Sequence, residues 1–410
     1  MNNPPPGKRS GSPRRALGLV ALTTVLANAT WFSATAVVPA LERDWSLGSG
    51  GAAWLVAAVQ LGFVTGSIAA AALNLPDRIE LRRLIAGAAL AAAAANAGLL
   101  LVGGLATALP SRFLVGVALA GVYAPAVRLI ATHFERGRGV ATGVIVGSLT
   151  LGSATPHLVR GIGGIPWQAT IGVTSGLAVL AALTIATVRS GPGLPSAPPL
   201  DIGAALRALR QGPLRRVTTG YVGHMWELYA LWAWLPAFFV ASRTGVAGIA
   251  PGRLETGLIA FAAIGVAGLA GAVYAGWLAD RFGRTTTTSA AMLLSAACCL
   301  ASPIAFAAST ALLVAVLVVW GAAVIADSAQ FSTAVTELAE PRYVGSALTL
   351  QLALGFALTI VSIRLVPVAV DVVGWRYALL PLAAGPLAGT VAMLRLRASP
   401  AARLLAGGRG

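Results

Sequence analysis

The sequence predicts an all-α polytopic membrane protein: twelve transmembrane helices arranged as two six-helix bundles, with both termini cytoplasmic. Three observations predict it. Of 410 residues, 57% are hydrophobic and only 10% are charged, whereas soluble domains are about 45–50% apolar and about 25% charged. Apolar runs of the roughly 20 residues that a bilayer span needs recur twelve times along the chain. Finally, the basic residues, in excess by a formal net charge of +16, gather at alternate ends of those runs. A soluble enzyme is excluded. The positive charge needs no nucleic acid partner, because cytoplasmic loops of membrane proteins collect Lys and Arg.

Residues 1–15 contain Pro4-Pro5-Pro6 and four basic residues and read as a disordered cytoplasmic tail. The first apolar run, 16–41, ends near a small-x-small tripeptide, Ala34-Thr35-Ala36. It is too long for a signal-peptide core, and eleven similar runs follow. The remaining spans are expected at about 52–73, 84–106, 108–132, 140–161, 165–188, 217–241, 254–278, 286–308, 310–335, 344–370 and 374–395. With the N-terminus inside, 21 of the 29 basic residues face the cytoplasm and five face outward. Small residues within spans, such as Gly116 and Ala120, allow close helix–helix approach.

The longest connection falls at mid-chain. It opens with the Pro/Gly-rich Ser190–Pro199, a flexible linker, and continues from Asp201 to Arg210 as a short amphipathic helix. The chain therefore divides into a tail (1–15), an N-terminal bundle (16–188), a cytoplasmic linker (189–216), a C-terminal bundle (217–395) and a second cytoplasmic tail (396–410). The halves repeat weakly: Pro76-Asp77-Arg78 aligns with Ala279-Asp280-Arg281, Glu135-Arg136 with Glu340-Pro341-Arg342, and Pro166-Trp167 with Gly374-Trp375, all at nearly one offset. Such a parallel repeat is the plan of some secondary transporters. Cys298 and Cys299 are adjacent within an apolar run, and three scattered histidines lack ligand spacing, so neither a disulfide framework nor a metal site is expected. No P-loop or nucleophile–base set is visible either, and the chain is not expected to be an enzyme or to carry a cofactor.

The loop after the eighth span reads Gly276-Trp277-Leu278-Ala279-Asp280-Arg281-Phe282-Gly283-Arg284. It resembles the signature of the major facilitator superfamily at every specified position. The first-half counterpart, Asp77-Arg78-Ile79-Glu80-Leu81-Arg82-Arg83, keeps the acid and the basic cluster but has Glu80 where the family has glycine. Arg112-x-x-x-Gly116 in the fourth span is similar to a second family motif. The resemblance implies that Asp280, Arg281, Gly283 and Arg284, with Asp77 and Arg78, form a conformational latch. A carboxylate at Asp280 would cap a neighbouring helix or pair with an Arg, holding the halves together in one state.

Ionisable side chains at bilayer depth cost at least about 2.5–3.5 kcal/mol, so each is a functional candidate. Glu227 stands about ten residues into the seventh span, near the midplane, with His224 and Tyr221 on approximately the same face. Glu227 and His224 are expected to exchange a proton or touch substrate. Arg112 and Tyr123 lie only about 20° apart around their helix and are expected to line one cavity. The resemblance gives Arg112 a role in substrate binding or proton coupling, and a guanidinium forks well onto oxyanions. Arg128 is expected to snorkel to the headgroups or pair with Asp327, which shares a face with Trp320 and Gln330. In the family, the helices carrying Asn28 and Gln351 line the central cavity. Trp232, Trp234, Phe238 and Phe239 read as an aromatic belt or part of an outer gate.

The expected function is secondary active transport by alternating access in a bacterial inner membrane, with the protein as a monomer in lipid. The partners are a small-molecule substrate, expected to be a small organic or inorganic anion on the strength of Arg112, and protons. Trp31-Phe32-Ser33-Ala34 and Gly223–Tyr229 resemble the nitrate/nitrite and cyanate-type branch of the superfamily. Proton-antiport efflux of drugs or metabolites stands as the alternative, since the fifth span keeps part of the family's antiporter pattern as Gly147–Pro156.

Overall fold

The computed structural model describes residues 12–131, 133–134, 138–162, 165–188 and 200–410. Most of the expected first tail, the loop at 135–137 and the linker at 189–199 lie outside the described residues. Helix dominates and no strand occurs among the described residues. This is what a bilayer demands, since each backbone N–H and C=O in hydrocarbon must be paired within the chain.

The first half comprises α1 (Pro13–Asn28), α2 (Val38–Trp45), α3 (Ser49–Ala72), α4 (Leu81–Ala97), α5 (Leu105–Ala131), α6 (Arg138–Gly161) and α7 (Trp167–Ala186). Helix α8 (Ile202–Arg210) follows, its N-terminus capped by the Asp201 carboxylate, which accepts from the Ala204 N–H at 2.7 Å. The second half comprises α9 (Gly212–Ala247), α10 (Arg253–Ala260), α11 (Ala267–Phe282), α12 (Arg284–Ala307), α13 (Thr310–Ala326), α14 (Ser328–Leu338), α15 (Val344–Val373) and α16 (Ala384–Arg397). Helix thus occurs at each of the twelve expected places, and among the described residues eight segments are long and apolar enough by themselves to cross a membrane.

Five expected spans are not plain helices. The first breaks between Asn28 and Ser33, the third ends in a 3-10 turn at Gly98–Leu101, the eighth carries a π-helical turn at Phe261–Val266, the tenth is interrupted at Asp327, and the twelfth opens with turns that include a 3-10 segment at Leu380–Ala383. Helix α1 begins at Pro13, where the absent N–H of proline costs nothing, so residues 13–15 join the helix rather than the tail. At the other end, residues 400–408 form tight turns, and Leu405 is buried. The segment expected as a second cytoplasmic tail packs against the second half: the Ala406 N–H donates to Glu337, and the Thr285 N–H to the Gly410 carbonyl.

The same pairings recur in each half. In the first, α1 packs on α6 and α7, α4 on α5 and α7, and α3 on α5; in the second, α9 packs on α15 and α16, α12 on α13 and α16, and α11 on α13. The halves meet along two seams, α3 against α15 and α6 against α10 and α11. Water drives no association between helices inside lipid, so close backbone approach through small residues takes its place. A Cβ on Gly116 would strike the Val59 carbonyl, and one on Gly62 the Phe113 carbonyl; Ala120 faces Gly66. Across the second seam, Gly161 and Gly257 lie against one another, and Gly147 lies against Leu269.

Gly116→Val should therefore destabilise the protein by about 1–3 kcal/mol, the usual cost of overpacking, and lower the melting temperature in detergent. Gly172→Ala, where a Cβ meets nothing within 4 Å, should change little. Equal melting temperatures for the two variants would contradict the close α3–α5 contact.

Candidate functional site

The break after Asn28 frees backbone carbonyls that must find donors in the protein. Arg112 of α5 supplies them. Its Nη2 donates to the carbonyls of Thr30 (3.1 Å) and Trp31 (2.5 Å), and its Nη1 donates to Asn96 Oδ1 (3.0 Å) and Ser33 Oγ (3.2 Å). Asn96 of α4 is held in turn, its Nδ2 donating to Thr174 Oγ1 (3.0 Å) and Ser175 Oγ (2.9 Å) of α7. The guanidinium is fully buried and faces the negative end of α1, a favourable place for a cation. Arg112 and Tyr123, expected to line one cavity, differ in their surroundings: Arg112 is occupied within the first bundle, whereas Tyr123 is part-exposed.

A second buried polar group lies in the other bundle. The Glu227 carboxylate accepts from Ser295 Oγ of α12 (2.8 and 2.9 Å) and from the indole Nε1 of Trp320 on α13 (2.5 Å). His224 pairs not with Glu227 but with Asp327, Nδ1 to Oδ1 at 2.8 Å. All three ionisable groups are at most 2% exposed. Asp327 therefore does not meet Arg128, which pairs instead with Asp77 in the first half. Sequence reasoning did not single out Ser295, Asn96 or Ser33; a lone Ser or Asn in an apolar run was the one signal available.

The latch residues divide. Arg284 clamps Glu337 through two bonds, Nη2 to Oε1 at 2.7 Å and Nε to Oε2 at 2.8 Å, and donates from Nη1 to Gln330 Oε1 at 2.9 Å. The Asp280 side chain is 45% exposed and lies 3.9 Å from Arg284, four residues on across the Gly283 turn. Among the described residues the carboxylate expected to join the halves pairs with no residue of the first half, and the Asp280 backbone carbonyl accepts from Arg409. Arg281 lies over the rings of Trp277 and Phe282, and Arg78 is exposed. Gly283 has φ +93°, and a Cβ there would run into the carbonyls of Arg409 and Gly410.

Between the halves lies an aromatic layer. Trp31 and Phe32 of the α1 break meet Phe63 of α3, Tyr229 and Trp232 of α9, and Phe356 of α15. Trp31 stacks on Tyr229 at 5.4 Å, and Phe63 lies 4.4 Å from Phe356. Trp232, Trp234, Phe238 and Phe239 are all buried rather than turned to lipid as a belt, and Trp234 donates to the Ile363 carbonyl at 2.9 Å. Towards the end away from the signature loops, Arg364 sits 4.4 Å over the Trp54 ring and closes the α3–α15 seam. Around the layer, several buried polar atoms have no partner: Asn28 Oδ1, both amide atoms of Gln60, Gln351 Nε2, and the indole nitrogens of Trp31 and Trp232.

Residues 20–271 match the family description of the Major Facilitator Superfamily. Over 177 residues the chain is 30% identical to the uncharacterized transporter YgaY of Escherichia coli, in strains K12 and O157:H7. That match covers 41% of this chain and 42% of each relative. Among solved structures, the proton:xylose symporter XylE bound to 6-bromo-6-deoxy-D-glucose superposes with a TM-score of 0.72. It is 14% identical, and the superposition covers 94% of this chain and 95% of that one. At that identity the likeness concerns the fold.

Arg112→Leu should leave several buried acceptors unpaired at about 1–3 kcal/mol each, lowering the melting temperature and the yield of folded protein. A variant as stable as wild type that had lost only anion binding would make Arg112 a solute ligand instead. In double-mutant cycles, the Arg284–Glu337 coupling should exceed about 1.5 kcal/mol, as for hydrogen bonds to charged groups. Asp280–Arg284 should give no more than about 0.5 kcal/mol, as for exposed helical pairs. The reverse order would restore Asp280 as the principal latch.

Proposed function

The chain belongs to the major facilitator superfamily and is a multi-pass membrane transporter, and from there we propose that it moves a small solute by alternating access, coupled to protons. The halves rock about the two seams, of which the α6–α10/α11 one is lined by glycines, and expose a site between them to either side in turn. The reading takes the side bearing both signature loops, and both termini, as cytoplasmic, in a bacterial inner membrane. The protein works as a monomer.

One observation carries the proton coupling. Glu227 and the His224–Asp327 pair are buried together, and among the described residues no Lys or Arg bonds to either acid. Such groups are expensive at membrane depth, and a proton is the species that can change their charge without opening the bundle. Glu227 hangs between α9, α12 and α13, so gain or loss of its charge alters how strongly it holds Ser295 and Trp320. Helix α9 also carries Tyr229 and Trp232 into the aromatic layer, which links the proton site to the interface between the halves.

Arg112 supports a structural role, and with it goes the main argument for an anionic cargo. The large aromatic surface at the interface instead favours an organic solute, in either the uptake or the efflux direction.

In proteoliposomes, adding a transported solute should change the internal pH for wild type, and Glu227→Gln should reduce that proton movement at least tenfold. Exchange of labelled solute without net flux should survive the substitution. Equal proton movement by the two proteins would remove Glu227 from coupling.

A further inference from the structure

The aromatic layer and the unpartnered atoms beside it restrict what the site can hold. The antiparallel register of α3 and α15, set by Phe63 on Phe356 and Trp54 on Arg364, places Gln60 nearly one turn to the Trp54 side of the layer. Gln351 lies more than a turn to the other side. Asn28 sits one turn before Trp31, and its Nδ2 is already spent on the Thr24 carbonyl at 2.8 Å, which leaves Oδ1 as a free acceptor. Gln351 Nε2 and the Trp31 and Trp232 indole N–H groups are free donors, and Gln60 offers both an acceptor and a donor. All five residues are at most 1% exposed. Buried polar atoms without partners are uncommon in folded proteins and call for an occupant that satisfies them.

The charges nearby are already taken. Arg112 is held by Thr30, Trp31, Ser33 and Asn96; Arg128 pairs with Asp77, and Arg364 covers Trp54. Glu227 is directed to Ser295 and Trp320, and His224 to Asp327. Among the described residues these charged groups are already hydrogen-bonded and leave few atoms free, Arg112 Nε among them, so a charged solute would give up its hydration for few new bonds, which is costly. Aromatic faces from both halves, by contrast, suit a flat ring that stacks between them.

We propose that the solute is an uncharged, ring-bearing organic molecule that stacks in the Trp31–Tyr229–Phe356 layer and hydrogen-bonds to Asn28, Gln351 and the free indole N–H groups. The inference rests on the alternating-access reading and names the substrate class of its central site. A molecule with an amide or hydroxyl on a six-membered ring fits the mixture of donors and acceptors, whereas a small inorganic anion matches neither the rings nor the charge balance. An aromatic wall drawn from both bundles would also let the solute bridge the halves, so that binding itself favours closure.

The test is equilibrium binding to the purified full-length protein in detergent at pH 7, with three probes of one size: benzamide, benzoate and benzylamine. Quenching of tryptophan fluorescence and the rise in melting temperature are the readouts. Benzamide should bind at least tenfold more tightly than benzoate or protonated benzylamine. Gln351→Leu should weaken benzamide at least fivefold while leaving the melting temperature of the empty protein within a degree or two of wild type. A Gln351→Glu variant, which keeps the shape and adds a charge, should shift preference towards benzylamine. Binding of benzoate or benzylamine as tight as that of benzamide would overturn the proposal, as would binding of none of the three, or indifference to both substitutions. The measurement involves neither a gradient nor a proton, so its failure leaves the Glu227 experiment standing. Failure of that experiment likewise leaves this one intact.

Discussion

A backbone carbonyl released from a helix inside hydrocarbon has no water to turn to, and much of this structure follows from how that constraint is met after Asn28. The first membrane segment breaks, and the Thr30 and Trp31 carbonyls point to the Arg112 guanidinium. Satisfying them fixes the direction in which Trp31 and Phe32 leave the first bundle. Those two rings then reach Tyr229, Trp232 and Phe356 of the second half. One buried cation thus sets both the shape of a helix and the position of the aromatic layer between the bundles. The arginine is fastened by Asn96, itself fastened by Thr174 and Ser175, so α1, α4, α5 and α7 share a single polar knot.

The two halves repeat their helix pairings yet use their polar residues differently. The first half spends its deep charge on architecture. The second keeps Glu227, His224 and Asp327 in a buried cluster that no Arg or Lys neutralises among the described residues. The signature loops diverge in the same way. In the first half the conserved-looking acid, Asp77, finds an arginine in its own bundle. In the second, Arg284 takes Glu337 and Gln330, and Asp280 is left half-exposed. Gln330 lies one helical turn beyond Asp327, so Arg284 reaches from α12 to the stretch of α14 that directly follows the buried acid. A duplicated scaffold can evolve this way because the glycine seams, not the charges, hold the helices together.

How much was legible depended on the range of the interaction. Membrane class, span positions and the twofold plan follow from hydropathy, charge bias and repeated motifs, all local properties summed along the chain. Among the candidates, Glu227, His224, Asp327, Arg112 and Arg128 are each at least largely buried and partnered. Their partners were not legible. Helical spacing put His224 with Glu227 and Arg112 with Tyr123, but residues on one helix face can still turn to different neighbours. Ser295, Trp320, Asn96 and Asp77 come from other helices, at separations of 16 to 93 residues. The aromatic run in α9 misled for a related reason. Rings at a helix end read as a lipid-facing belt until the facing helices are known.

The sequence by itself determined a helical membrane protein built as two like halves, because in lipid the cost of an unpaired backbone group leaves little choice of architecture and apolar length marks each span. Only the tertiary structure decided which partner each buried charge finds. That depends on oxygen and nitrogen atoms brought within about 3 Å by helices far apart in the chain. In this fold Arg112 is bound to its own bundle, Glu227 is bound to hydrogen-bond donors that leave its charge uncompensated, and the space between the halves is left to aromatic rings and unpaired amides.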